Sequence, residues 1–176
     1  MPGARSDGLI AHGHRRIGFI GDLPARLYTR RERLAGYRAA LAEAGLSHDR
    51  ALVADAHDPA GAADATARLL ALPDPPTALL SGNNVMTDGV LTEVSRSRRK
   101  DVAVVAFDDV PMAAILEPGL TVVAQEPATM GELAGALAVE RLDGDRSRSR
   151  TLMVETRLVP RGSGELPAPR GAGRTL

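Results

Sequence analysis

Thr77-Ala78-Leu79-Leu80-Ser81-Gly82-Asn83-Asn84-Val85-Met86 is the stretch on which the fold turns. Its first five residues read as a buried strand, and Gly82 ends that strand. Two asparagines follow, and then Met86, Val90 and Val94 recur one turn apart on a helical face. Asn83 and Asn84 therefore stand where the carboxyl end of a strand meets the amino end of a helix. In open α/β sheets ligands settle in the crevice outside that edge. A side-chain amide offers both donors and an acceptor to a neutral, hydroxyl-rich molecule. Asparagine is also a preferred helix cap, and the stretch by itself leaves both roles open.

The same grammar continues on either side. Upstream, Arg16 to Gly21 is an apolar strand, followed by Thr29-x-x-Glu32, a capping box. Leu34, Tyr37, Leu41 and Ala44 then form a helical stripe that Gly45 closes. Leu52 to Ala54 is a short strand, and Asp58-Pro59 gives an N-cap with proline at the first helical position. Ala62, Ala65, Leu69 and Leu72 mark that helix, which Pro73 to Pro76 terminates. Downstream, Gly89 inside the helix marks a close approach, and Ser95 to Lys100 reads as a solvated loop. Val102 to Phe107 is apolar on both faces, as a central parallel strand should be. Thr121 to Ala124 is a further strand, and Pro127 leads into a helix through Met130, Leu133 and Leu137 that closes near Gly144. Leu152 to Val159 alternates like an exposed or edge strand. Strand and helix in alternation imply an α/β fold, an open parallel sheet with helices on both faces. Residues 1–8 are expected to be a flexible stretch, and the Pro/Gly-rich residues 162–176 a disordered tail.

Composition narrows the function. The 176 residues suffice for one good core. Lys plus Arg equals Asp plus Glu, so the net charge is zero, which argues against a dedicated nucleic-acid surface. With no Cys, disulfides and thiolate metal sites are excluded. No apolar run reaches membrane-spanning length and Met1 to Ala11 lacks a signal-peptide core, so a cytoplasmic protein is expected. Two Phe and two Tyr leave an aliphatic core and no aromatic stacking platform.

Asp22, Asp55, Asn83, Asp108 and Gln125 all follow strands, and parallel strands bring their carboxyl ends to one rim. Arg33 lies in the first turn of a helix that starts beside that rim. Arg33, Asn83 and Asp108 around a cleft would suit a sugar, a nucleoside or a similar small polar ligand, although loop-facing strand ends are polar in any case. No phosphate loop, nucleophile elbow or dinucleotide fingerprint is present, so no catalytic residue and no cofactor is assigned. Asp55, His57 and Asp58 are more simply read as a cap and solvated surface than as a metal site. Asp108-Asp109 after a strand would fit a receiver-like phosphotransfer domain, but the only lysine, Lys100, sits at the opposite end of that strand. His12, His14 and His48 read as surface or helix-end residues.

Several stretches in register resemble one family. They are Gly13-His14-Arg15-Arg16-Ile17-Gly18-Phe19-Ile20-Gly21, Arg31 through Leu41, Asn83-Asn84-Val85-Met86 with Gly89, Val104 through Asp109, Leu120 through Val123 with Gln125, and Met130-Gly131. Together they resemble the sensor domain of LacI/GalR-type bacterial regulators over residues 9–161. The resemblance implies a periplasmic-binding-protein-like fold of type I, mainly its carboxyl-terminal lobe with crossover segments of the other. It implies a small-molecule, sugar-like effector held by Arg33, Asn83, Asp108 and Gln125, and operator binding through a helix-turn-helix that this chain does not carry. With half of the cleft missing, weak effector affinity is expected. A solute-binding protein of a sugar transporter shares the fold and is the alternative. The family's homodimer is opposed here by Asp88, at a helix position that often faces the partner, where two copies would place like charges together.

Overall fold

The computed structural model describes residues 7–24 and 27–169. In chain order the elements are α1 (Asp7–Ala11), β1 (Ile17–Asp22), α2 (Tyr28–Glu43), a 3₁₀ turn (Arg50–Leu52), β2 (Val53–Ala56) and α3 (Pro59–Leu70). They continue with β3 (Ala78–Ser81), α4 (Asn84–Arg96), β4 (Ala103–Phe107), β5 (Thr121–Ala124), α5 (Pro127–Leu142) and β6 (Arg157–Val159). The six strands form one sheet in the order β2-β1-β3-β4-β5-β6. The first five are parallel, and β6 closes the edge antiparallel to β5. The expected α/β architecture is therefore observed. Of Leu152 to Val159 only the last three residues are strand.

Alternation along each strand divides the interior into two cores. Leu79, Val104, Ala106 and Ile20 face α3 and α4, packing with Ala62, Leu69, Met86 and Val90. Leu80, Val105, Phe107 and Phe19 face the other way, against Leu9 of α1 and Leu34, Tyr37 and Leu41 of α2. Strands buried on both sides read as unbroken apolar runs, which is why Val102 to Phe107 looked central. The Tyr37 hydroxyl donates to the Ile17 carbonyl at 2.7 Å and ties α2 to β1. Burial, with Asp49 nearby, pushes its pKa up to about 12, so it remains a donor.

Local chemistry sets the helix ends. Asp58 accepts from the Gly61 amide at 2.7 Å and Pro59 opens α3, as expected. Gly45 leaves α2 at φ +68°, a left-handed closure suited to glycine. The Thr29–Glu32 capping box is not used. α2 starts at Tyr28, and its N-cap, Leu27, makes no side-chain bond. The helix is fixed instead by Arg30, Arg33 and Tyr37, which bind Asp55, the Gly82 carbonyl and the Ile17 carbonyl. Gly89 is a true close approach: a Cβ there would stand 2.1 Å from the Pro59 carbonyl oxygen and 2.7 Å from the Ala62 Cβ. α5 is helical as expected, but none of its residues is buried.

Both ends of the chain differ from expectation. Asp7 and Gly8 already belong to α1, and residues 1–6 lie outside the described residues. Residues 162–169 are not a disordered tail; 170–176 lie outside the described residues. β4 and β5 pair only from Val105 and Thr121 onward, so the backbone at their amino ends needs other partners. Ser163 supplies them. Its carbonyl accepts from the Val104 amide at 3.0 Å, and its hydroxyl donates to the Val104 carbonyl at 2.6 Å. Glu165 accepts from Thr121 Oγ1 at 2.7 Å and from the Gly162 amide at 2.6 Å. The segment then reaches His14, which is fully buried rather than at the surface. Its Nε2 donates to the Leu166 carbonyl at 2.8 Å, and its Nδ1 lies 2.9 Å from Thr77 Oγ1. A carbonyl only accepts, so Nε2 carries the proton and Nδ1 takes that of Thr77.

Two predictions follow from this packing. Gly89→Ala forces α3 and α4 apart and should cost about 1–3 kcal/mol or more, read as a lower midpoint in urea unfolding. Burial holds the His14 pKa below its ordinary 6.5, and partly exposed His48 shifts the same way. Below pH 6.5 the unfolded chain therefore binds protons that the folded chain refuses, and stability falls with pH through the lowered folded values. Thermal melts should show this loss as pH falls below about 6.5, and His14→Gln, which cannot titrate, should reduce it.

Candidate functional site

β1 lies between β2 and β3, so the chain leaves β1 toward one edge and returns to β3 on the other side. Such a reversal opens a crevice between the carboxyl ends of β1 and β3. Gly82 lets the two ends approach closely: its amide donates to the Ile20 carbonyl at 2.7 Å, and a Cβ there would meet that oxygen at 2.8 Å. Asp22 at the end of β1 and Asn83 at the end of β3 flank this point.

Asn83 takes an extended backbone, φ −166°, and its Oδ1 caps α4 by accepting from the Met86 amide at 2.8 Å. Its Nδ2 donates to Asp22 Oδ2 at 2.9 Å. Behind it, Thr87 Oγ1 lies 2.7 Å from the Asn83 carbonyl and 2.9 Å from Ser81 Oγ, so the turn is pinned from below. One asparagine thus fills the capping role and links two strand ends.

Arg33 crosses the neighbouring gap. Its Nη1 donates to the Gly82 carbonyl at 2.5 Å, and its guanidinium lies 4.7 Å from the centre of the Phe107 ring. Its Nη2 is 3.7 Å from Asp108 Oδ1, and Gln125 Nε2 donates to the same oxygen. Asp108 sits at φ +70°, a left-handed conformation that aspartate tolerates better than most residues. Its amide donates to the Val123 carbonyl at 3.0 Å, so the turn that aims its carboxylate is held by β5.

Three of the four residues expected from the sequence, Arg33, Asp108 and Gln125, form one contiguous group. Asn83 adjoins it through Gly82. Arg30 was missed, although it lies one turn before Arg33. It makes a two-pronged ion pair with Asp55, 3.0 and 2.7 Å, that lies over Gly21 at the end of β1. Phe107 was read only as core, and its ring turns out to carry Arg33. The rim is therefore a chain of paired groups from β2 to β5.

Asp109 diverges from Asp108. Arg161 grips it with two bonds, 2.8 and 2.6 Å, and holds its carboxyl below the usual carboxylate range. The two carboxylates therefore do not share a site, which removes the geometry a receiver-like phosphotransfer reaction needs. Asp55 is engaged by Arg30 and Asp58 by its helix. Among the described residues no cluster of three His, Asp or Glu side chains is placed to hold a metal ion. No helix among them is long and apolar enough to cross a membrane.

An open parallel sheet with a polar rim outside its point of strand reversal defines an α/β domain of the ligand-binding type. The Periplasmic binding protein-like domain matches residues 7–164, and the chain belongs to that family. The ribose operon repressor of Escherichia coli is 35% identical over 163 residues, covering 88% of this chain and 48% of the repressor. The solved structure of a CelR–cellobiose complex superposes with a TM-score of 0.80 at 35% identity, covering 88% of this chain and 48% of that one. The E. coli repressor AscG gives 0.75 at 29% identity, with 88% and 57% covered. The chain spans about half the length of the curated relatives it matches.

The clasp makes a stability prediction. Arg33→Ala leaves the Gly82 carbonyl and Asp108 without their cation and should cost about 1–3 kcal/mol in denaturant unfolding. Arg31→Ala, at an exposed neighbouring position, should stay within about 0.5 kcal/mol of the parent.

Proposed function

We propose that this chain is the effector-sensing part of a LacI/GalR-type transcriptional regulator, and that the rim receives a small polar ligand of sugar or nucleobase-like chemistry. The observation that carries this reading is the Arg33 clasp. One guanidinium is fixed by a carbonyl at the end of β3 and by an aromatic face and a carboxylate at the end of β4, with Gln125 from the end of β5 beside them. Such a group is pre-organised, so little entropy is lost when a ligand replaces water there. Arg33 would donate charge-assisted bonds, Asp108 would accept from ligand hydroxyls, and Asn83 and Gln125 would orient the molecule.

In this reading the chain has no catalytic role, works in the cytoplasm, and reaches operator DNA through a helix-turn-helix that is not among the elements of the described residues. The likeness to a cellobiose-bound regulator and to a ribose repressor supports a sugar. Exposed Asp88 on α4 would disfavour a symmetric pairing of two copies through that helix.

NMR titration of the chain with D-ribose, cellobiose and cytidine tests the reading. Saturable shifts should concentrate on the amides of Arg33, Asn83, Asp108 and Gln125 for at least one of the three. Asp108→Asn should weaken that binding about tenfold, the worth of one charge-assisted hydrogen bond. No saturable shift with any of them, or shifts confined to other surfaces, would overturn it.

A further inference from the structure

We infer that Asp22 is a further ligand-contacting residue of this site and sets its selectivity, accepting a hydroxyl hydrogen from a neutral ligand and rejecting the phosphorylated form. The inference rests on the sensor reading above and goes beyond it.

Position is the first argument. The sheet order reverses between β1 and β3, and Asp22 is the last residue of β1. It is held by Asn83 Nδ2 on its Oδ2 at 2.9 Å, so its carboxylate is fixed beside the carboxyl end of β3, where such sheets take their ligands, rather than trailing in solvent. That bond is its one side-chain hydrogen bond among the described residues, and it leaves Oδ1 for a ligand. Asn83 itself is largely spent: its Oδ1 caps α4 and one amide hydrogen goes to Asp22. At the reversal point the acceptor offered to a ligand is therefore the carboxylate, with the amide as its support.

Charge is the second argument. Among the described residues, Asp22, Asp55 and Asp108 on the rim outnumber Arg30 and Arg33, and both guanidiniums are already engaged. Arg30 is bound two-pronged to Asp55, and Arg33 is shared among the Gly82 carbonyl, the Phe107 ring and Asp108. A phosphate needs uncommitted cations or amides. Here it would approach a surplus of carboxylate while the cations would have to break existing pairs. Hydroxyl groups meet no such obstacle, since carboxylates accept from them directly.

The experiment titrates the full chain and its Asp22→Asn variant with D-ribose and ribose 5-phosphate, and with D-glucose and glucose 6-phosphate, reading rim amides by NMR. Asparagine retains an acceptor for Asn83, so the turn survives, and matching melting temperatures confirm it. The parent should bind a neutral sugar more tightly than its phosphate. Asp22→Asn should weaken the neutral sugar about tenfold and shrink the preference over the phosphate by a similar factor. A structural role alone would lower both affinities together and leave their ratio unchanged, which would overturn the assignment. Tighter binding of the phosphate by the parent would also overturn it. Binding of a neutral sugar that Asp22→Asn leaves intact would overturn the role of Asp22 while the sensor reading stands. Absence of binding by all four probes would count against the sensor reading and this inference with it.

Discussion

Burial of the central strands on both faces is the constraint from which the rest follows. Leu79 and Leu80, or Val104 and Val105, point into opposite cores, so β3 and β4 have no face left for water. Polar chemistry is thereby confined to the strand ends. At the carboxyl ends it becomes the rim from Asp55 to Gln125. At the amino ends it becomes the fastening of Ser163, Glu165 and His14. The two ends solve different problems. One presents side chains to a crevice, whereas the other satisfies backbone groups that shortened pairing leaves open.

The features legible in the sequence are those encoded within a few residues. Asp58-Pro59 names a helix start, the apolar run at Val102 names a doubly buried strand, and Gly89 names a contact because a glycine inside a helix is costly. The rim residues were legible for a related reason: parallel strands must end on one side, so distant polar residues converge without any knowledge of the contacts. What escaped depends on partners remote in the chain. His14 meets Leu166 across 152 positions, and no local pattern tells a buried histidine from an exposed one. Composition marked residues 162–169 as unstructured, since glycine and proline lower packing potential, yet their backbone and two polar side chains complete a sheet. The Thr29–Glu32 motif failed in the opposite sense. Its local signal was sound, but α2 already begins at Tyr28 and is held by contacts to β1 and to the rim.

Within the site the same division holds. That Arg33, Asn83, Asp108 and Gln125 converge on one rim was legible, but their pairing was not. Arg33 is a clasp because Phe107 and the Gly82 carbonyl fix it, and each belongs to a segment whose reading suggested only core or turn. The family assignment rests on the whole chain, whereas the chemistry of this rim rests on a few pairs. Arg30 with Asp55 and Asn83 with Asp22 give it a balance of charge that belonging to the family does not by itself specify.

The left-handed backbone of Asp108 bears on how this rim drifts over generations. That conformation costs a typical side-chain-bearing residue about 1–2 kcal/mol and is least costly for glycine, asparagine and aspartate. Few replacements at this codon are therefore cheap, and each of those removes the charge or the side chain outright; lengthening to glutamate incurs the backbone penalty. Change at this rim should consequently accumulate at positions whose main chain carries no such demand, while this corner stays fixed.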